Sequence, residues 1–261
     1  YIQVYNSKRI CGYGVWPAIA HNRGYHINPC WGGHLDLFRV PKFSYYFMRS
    51  QMDREQVGDI LFVANWWSEF SPEDVTVYSN AERVALYWND QFIAEQCPDD
   101  VDVKHPPFTF KGVKTRYFKC IRDRSSITAK AYVGDKVVAE QTVMAPGIAK
   151  KLKLEADLMG IPLKADGADI VAVRCSFVDR EGVVVPITCD EHPIVFEIEG
   201  EGEIIGDSSV GANPKCADAG IATVLVRSTS KAGEIKLRAK MLWEQPMGGA
   251  IEPDEITIKS E

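Results

Sequence analysis

The stretch that decides the fold reads VTVYSNAERVALYWND and spans residues 75–90. Large apolar residues stand at alternate positions, at 75 and 77 and again at 84, 86 and 88. Apolar side chains at every second position line one face of a β-strand, because successive side chains point to opposite faces. Asn89-Asp90 then provides a tight turn, and an apolar run follows. The stretch therefore predicts strands joined by a hairpin in an antiparallel sheet.

The same pattern recurs along most of the chain. Alternation returns at 127–132, 171–177 and 234–240, with turn residues between the runs. Short strands with frequent turns are typical of antiparallel sandwiches. A chain of 261 residues suits two domains. We therefore predict a mainly β protein with one sandwich over residues 56–157 and a second over residues 158–261.

Residues 1–55 have a different texture, rich in aromatic residues and in loops. We predict a short strand from Ile10 to Ile19. A helix should open after Pro41 and run to about Met52, since proline suits the first turn of a helix. A segment this short cannot bury its own aromatic side chains. We expect it to be covered by the sandwiches or by chain upstream.

Composition and charge exclude several classes of protein. The chain has 36 acidic and 30 basic residues, a formal net charge of −6, without the basic excess of a nucleic-acid-binding protein. No run approaches the ~18 consecutive apolar residues of a membrane-spanning helix. Seven cysteines without a Cys-x-x-Cys pair argue against a structural zinc site and a fully paired disulfide framework. The first residues do not resemble a signal peptide. We expect neither nucleic acid nor a membrane as partner.

The densest polar and aromatic cluster lies at residues 16–26. An indole can stack on the apolar face of a pyranose, while amide and imidazole groups hydrogen-bond its hydroxyls. The candidate sugar-binding residues are Trp16, His21, Asn22, Arg23, Tyr25 and His26. The alternative is a solvent-facing loop around one core tryptophan.

Other kinds of chemistry find less support. His21, His26 and His34 are five and eight residues apart, spacings that match no helix face or compact metal motif. Cys11 and Cys30 could pair, although two thiols in a packed region are favoured. No Gly-x-Ser-x-Gly elbow occurs. The acidic residues lie mainly at turns and on polar strand faces, so no pair of glycosidase carboxylates stands out. We expect no metal site and no catalytic residue in this chain.

A specific resemblance lies in the run from Trp31 to Gln51, which reads WGGHLDLFRVPKFSYYFMRSQ. It is similar to the end of the catalytic barrel in glycoside hydrolase family 2. In β-galactosidase-like members this region contains Gly-x-x-Asp, Pro-Lys, a Tyr-Tyr pair and Ser-Gln, and all four stand here in that order. Residues 75–90 resemble the family's immunoglobulin-like domain after the barrel, with Asp90 where glycine is usual. Residues 163–206 resemble its C-terminal immunoglobulin-like domain.

The resemblance implies that residues 1–55 are the last strand, loop and helix of a (β/α)₈ barrel, followed by two immunoglobulin-like sandwiches. It implies a retaining glycosidase whose two catalytic Glu residues both lie upstream, so that this chain alone should be inactive. Trp16 is similar to the family's aromatic residue at the sugar subsite. The resemblance further implies a glycan substrate for the parent enzyme and no cofactor. It leaves homo-oligomer formation open and favours an extracytoplasmic location, periplasmic or secreted.

Two functions therefore compete. In the first, the chain is the C-terminal non-catalytic part of a retaining, β-galactosidase-like glycoside hydrolase that acts on O-glycosidic bonds in carbohydrate metabolism. In the alternative, tandem immunoglobulin-like domains form a carbohydrate-binding or interaction module that uses exposed aromatics such as Trp66, Trp67 or Trp243. Adjacent strand residues face opposite ways, so one of Trp66 and Trp67 should be core and the other exposed. Saccharide binding by the isolated chain through these exposed aromatics would favour the alternative.

Overall fold

The computed structural model describes residues 1–23, 30–119, 124–186, 189–243 and 250–261. The chain divides into two compact units, residues 1–145 (unit 1) and residues 146–261 (unit 2). Both are built mainly from antiparallel sheets, which confirms the predicted fold class. Across the described ranges, no helix combines the length and the apolar character needed to span a bilayer.

Unit 1 combines short helices with short strands. Its described helices are α1 (Ile2–Tyr5), α2 (Phe43–Ser50), α3 (Arg54–Val57) and α4 (Val113–Tyr117). Its described strands are β1 (Leu61–Val63), β2 (Val75–Ser79), β3 (Arg83–Trp88), β4 (Gln91–Gln96), β5 (Phe108–Phe110), β6 (Ser126–Val133) and β7 (Lys136–Met144). The helix expected after Pro41 is therefore present as α2.

Two sheets enclose the core of unit 1, one ordered β1-β2-β5 and the other β4-β3-β6-β7. The predicted hairpin is confirmed, because β3 pairs antiparallel with β4. Asn89 and Asp90 connect them with φ of 45° and 64°, the left-handed geometry of a tight hairpin turn. The buried core comes mostly from alternate strand positions: Val63, Trp67, Val75, Val77, Val84, Leu86, Phe108, Phe110, Ile127, Ala129 and Ala131.

The strand predicted from Ile10 to Ile19 is wrong. The segment contains no strand, and its one ladder contact is an isolated parallel bridge between Ile19 and Leu35. A strand needs a neighbour for its backbone donors and acceptors. Most side chains of the segment are exposed, and Pro17 has no backbone N–H to donate. Apolar content alone therefore did not make this segment a strand.

Unit 2 is a second sandwich. Its described strands are β8 (Lys151–Asp157), β9 (Ile170–Val178), β10 (Cys189–Gly200), β11 (Gly202–Ile204), β12 (Lys215–Ala217), β13 (Ile221–Ser228), β14 (Gly233–Met241) and β15 (Asp254–Ser260). A single 3₁₀ turn among the described residues covers Ser208–Val210. The sheets are ordered β12-β10-β14-β15 and β11-β13-β9-β8. The four alternating positions predicted for one face of β9 are all buried: Val171, Val173, Cys175 and Phe177.

The boundary between the sandwiches lies earlier than the sequence suggested. The chain divides after Ala145, and β8 pairs with β9 along its whole length. Leu152 and Leu154 of β8 are buried in the unit 2 core, while Lys151 and Lys153 face solvent. The two lysines form the outer face of an amphipathic strand.

Residues 179–182 form a turn, and the described chain after the turn pairs only briefly with β9. Gly182 N–H donates to Asp179 O at 3.1 Å, which closes the turn. Over the described residues 183–186, pairing is limited to an isolated antiparallel bridge between Val178 and Val184. Pro186 cannot donate to a ladder, so the return pairing stops early.

Candidate functional site

Aromatic side chains of α2 anchor the N-terminal segment, which carries the predicted sugar-binding residues, to strands β1 and β2 of the same unit. The Tyr46 ring stacks on Phe62 of β1, with ring centroids 3.7 Å apart and planes at 2°. Phe47 meets Tyr78 of β2 edge-on at 5.5 Å. Burial raises the pKa of both tyrosine phenols, so they remain neutral. Helix α2 is therefore held against β1 and β2, and this fixes the C-terminal end of the preceding loop.

The backbone of residues 18–20 lies beside that of residues 33–35. Ala18 O accepts hydrogen bonds from the backbone N–H groups of His34 at 2.9 Å and Leu35 at 3.2 Å. Ala20 N–H donates to Leu35 O at 2.9 Å. Gly33 is buried at this crossing, and a Cβ there would lie 2.2 Å from Ala20 N. Only glycine lets the two backbones come this close.

Trp16 is the outstanding side chain of this site. Its indole is 84% exposed, although tryptophan is usually largely buried. The His21 ring meets it at nearly a right angle, with centroids 6.0 Å apart. His21 exchanges backbone hydrogen bonds with Cys30, of 3.3 and 2.8 Å, so the ends of the intervening loop are held together. The interpretation of Trp16 as a core residue within a solvent-facing loop is wrong.

The other predicted site residues divide into two groups. Asn22 and Arg23 follow His21 and are exposed to solvent. Tyr25 and His26 lie outside the described residues. The described structure thus brings Trp16 and His21 into ring contact and places Asn22 and Arg23 directly after them in the chain.

Trp31 is a second exposed indole that the site prediction missed. It is 50% exposed, and the Lys42 ammonium lies 5.7 Å from its ring centroid while donating to Trp31 O at 2.8 Å. A Cβ at Gly32 would lie 3.6 Å from Trp16 O, so the backbones carrying the two indoles are adjacent. The signal in the sequence was a tryptophan followed directly by two glycines, which allow close backbone packing.

Other polar side chains here hold the loop rather than face a ligand. Asp36 Oδ1 accepts from the backbone N–H groups of Phe38 and Val40, each at 2.7 Å, and shapes the turn into α2. Both ring nitrogens of His34 are buried and have no hydrogen-bond partner among the described residues. Within the described ranges, no group of three or more His, Cys, Asp or Glu side chains could hold a metal ion.

Five cysteines are thiols without a disulfide bond: Cys11, Cys30, Cys97, Cys175 and Cys216. Cys11 is exposed and Cys30 half-buried, and neither forms a disulfide. Burial, followed by the charge of Asp254, raises the pKa of the Cys175 thiol to about 12. That thiol stays protonated at neutral pH and is no nucleophile.

The aromatic residues of the alternative module are distributed as predicted. Trp67 is fully buried and Trp66 is 39% exposed, while Trp243 is also exposed. The reason differs from strand alternation, because the pair follows the end of β1. Trp67 instead takes φ of 48°, and its indole N–H donates to Ser125 Oγ at 2.9 Å. Trp66 packs against Phe43 of α2, with centroids 5.1 Å apart.

Comparison with known proteins shows which family the chain matches. A family model for the glycoside hydrolase family 2 C-terminal domain 5 matches residues 152–242. A β-galactosidase of Thermoanaerobacter pseudethanolicus is 38% identical over 249 residues, which cover 90% of this chain and 32% of that protein. The chain is a C-terminal portion of a glycoside hydrolase family 2 protein. This confirms the resemblance drawn from residues 31–51, 75–90 and 163–206.

Two further proteins are similar to the chain, one in sequence and one in fold. β-Galactosidase BoGH2A of Bacteroides ovatus is 24% identical over 226 residues, 83% of this chain and 25% of that protein. A family 2 member from Bacteroides cellulosilyticus shares the fold with a TM-score of 0.68 at 21% identity, over 93% of this chain and 33% of that one. The chain spans a third or less of the length of the curated relatives it matches.

Proposed function

We propose that this family 2 chain is the non-catalytic C-terminal part of a retaining, β-galactosidase-like glycoside hydrolase. The parent enzyme would act on O-glycosidic bonds of a glycan in carbohydrate metabolism. In this proposal the loop of Trp16 forms one wall of the sugar site. The observation that carries it is the 84% exposure of the Trp16 indole, close to residues 18–20, whose backbone is hydrogen-bonded to that of residues 34 and 35. The named activity of two β-galactosidase relatives supports the sugar class.

The chemistry of the loop suits contact with a sugar. An exposed indole offers a flat apolar face for pyranose C–H groups. The His21 ring lies nearly perpendicular to that indole, and exposed Asn22 and Arg23 can donate hydrogen bonds to hydroxyls. Because backbone hydrogen bonds join His21 to Cys30 and residues 18–20 to residues 34–35, these described residues lose little conformational entropy when a sugar binds.

The same loop does not provide the catalytic pair that retention requires. A retaining glycosidase needs two carboxyl groups about 5–5.5 Å apart, one as acid/base and one as nucleophile. Asp36 lies in this region, but its Oδ1 is already occupied by two backbone N–H groups. The proposal therefore assigns both catalytic Glu residues to the parent enzyme upstream of this chain.

The isolated 261-residue chain is expected to hydrolyse no aryl β-galactoside above the buffer rate, since binding groups alone cannot supply an acid and a nucleophile. The measurement is release of nitrophenol by repurified chain, with intact β-galactosidase as positive control. Turnover that survives repurification and disappears on mutation of a carboxylate in this chain would contradict the proposal.

In a full-length enzyme carrying this region, Trp16→Ala is expected to lower kcat/KM for an aryl β-galactoside by about tenfold, from loss of ring stacking. Trp243→Ala removes another exposed indole and serves as the control, with no expected change. Steady-state kinetics of the two variants test this. An unchanged KM and kcat for Trp16→Ala would remove Trp16 from the sugar site.

A further inference from the structure

A second concave site lies in unit 1, at an open edge of the sandwich. β4 is the last strand of one sheet and β5 the last strand of the other, and α4 follows β5 closely. These elements enclose a cleft of about 220 Å³. Clefts for drug-sized ligands measure roughly 300–1,000 Å³, so this one suits a single sugar ring rather than an oligosaccharide.

The cleft has an apolar floor and polar groups around it. Its lining residues are Ile93, Ala94, Gln96, Phe110, Lys111, Val113, Arg116 and Tyr117. Phe110 and Val113 are buried, and the Tyr117 ring is half-buried, with its centroid 5.5 Å from that of Trp88. The packed Tyr117 ring is thus a firm aromatic wall beside apolar groups, the surface that the C–H face of a pyranose requires.

The cationic groups of the cleft differ in availability. Lys111 Nζ donates to Asp74 Oδ2 at 2.8 Å, and this contact raises the pKa of Lys111 and lowers that of Asp74. The positive charge of Lys111 is therefore already paired with the Asp74 carboxylate. Arg116 is exposed, and no hydrogen bond or ion pair joins it to another described residue. Arg116 is the cation of the cleft that is available for a ligand.

The polar side chains at the cleft are mainly donors. Arg116 has five N–H donors in a planar fork, Lys111 has ammonium donors, and Gln96 adds an amide that can donate and accept. A ligand must therefore supply acceptors, and a carboxylate matches the fork of a guanidinium with two parallel hydrogen bonds. An apolar ring face bearing one carboxylate describes a uronic acid.

We propose that this cleft is a non-catalytic binding site for one carboxylate-bearing pyranose residue of a glycan. Arg116 pairs with the carboxylate, Gln96 bonds a hydroxyl and the ring lies along Tyr117. This site uses residues of β4, β5 and α4, none of which belongs to the Trp16 loop. It therefore stands or fails independently of the proposed function.

The test is a titration of the ¹⁵N-labelled 261-residue chain, followed by amide chemical shifts. The probes are D-glucuronate and D-galacturonate, with D-glucose, D-galactose and acetate as matched controls at equal ionic strength. We expect saturable shifts at Gln96, Lys111 and Tyr117 with uronates only, with a Kd on the order of 1–10 mM. Arg116→Gln should weaken binding about tenfold, the loss of one charge-assisted contact.

Two further variants keep the result interpretable. Arg180→Gln removes an exposed arginine of unit 2 and should leave the Kd unchanged. Gln96→Ala should weaken binding without altering charge, and unchanged spectra away from the cleft show that each variant is folded. The proposal is overturned if uronates cause no saturable shift, if neutral hexoses or acetate bind equally, or if Arg180→Gln has the same effect as Arg116→Gln.

Discussion

Gly33→Ala is expected to detach the segment carrying Trp16 from its neighbouring backbone. The new Cβ would lie 2.2 Å from Ala20 N, 2.5 Å from the carbonyl carbon of Ile19 and 2.7 Å from Leu35 O. All three are backbone atoms, so no side-chain rotation can relieve the overlap. We expect a local loss of about 3 kcal/mol, at the upper end for overpacking.

Hydrogen exchange is the appropriate measurement for Gly33→Ala, because the segment can open while the sandwich stays folded. The amides of Ala20, His34 and Leu35, which bond across this crossing, should lose protection. Gly32→Ala is a matched control one residue away, where the nearest atom to a new Cβ is Pro17 Cδ at 3.4 Å. Equal exchange in the two variants would show that the close approach at Gly33 is unimportant.

Asp179→Ala is expected to destabilise unit 2 by about 3–5 kcal/mol, because it removes the acceptor of three backbone N–H groups at ~1–3 kcal/mol each. The Asp179 side chain is only 1% exposed. Oδ1 accepts from the backbone N–H groups of Glu181 at 2.9 Å and Val183 at 3.0 Å, and Oδ2 accepts from Gly147 at 2.8 Å. Alanine would leave these three backbone donors without this acceptor. It would also remove the link between Gly147, at the start of unit 2, and the turn at residues 179–183.

Hydrogen exchange of the β9 amides at increasing urea concentration measures the effect of Asp179→Ala on the unfolding free energy of unit 2. Asp179→Asn should lose less stability, because an amide retains one acceptor oxygen. Asp166→Ala is the control, since Asp166 Oδ1 also accepts two backbone N–H groups, at 2.8 and 2.7 Å, but is exposed. Water can replace Asp166, so its loss should be much smaller. Equal destabilisation by Asp166→Ala and Asp179→Ala would contradict the argument from burial.

The strand patterns were readable because burial in a strand follows local alternation. The face formed by residues 171, 173, 175 and 177 is buried as predicted. The Asn89-Asp90 turn could likewise be predicted from the local sequence, since both residue types tolerate positive φ. Helix α2 followed from Pro41 and a run of helix-compatible residues. In each case the neighbouring residues contained the deciding information.

The errors arose where a distant partner decided the outcome. Ile10–Ile19 has the composition of a strand but no neighbouring strand, so it stayed irregular. The expected sandwich boundary at residues 157–158 put β8 in the first sandwich, whereas β9 provides the ladder of β8 and the unit 2 core accepts its leucines. Alternation shows that a strand can be amphipathic, but not which sheet it will join.

The sequence by itself determined the mainly β architecture, the family and the choice of Trp16 as a sugar-facing candidate, because alternation, turn residues and motif order are local. Tertiary structure alone placed Trp31 beside that loop, required glycine at Gly33 and assembled the cleft around Arg116 from two sheet edges and a helix. Those features depend on contacts between segments far apart in the chain. Their distances are set by packing, which the order of residues does not display.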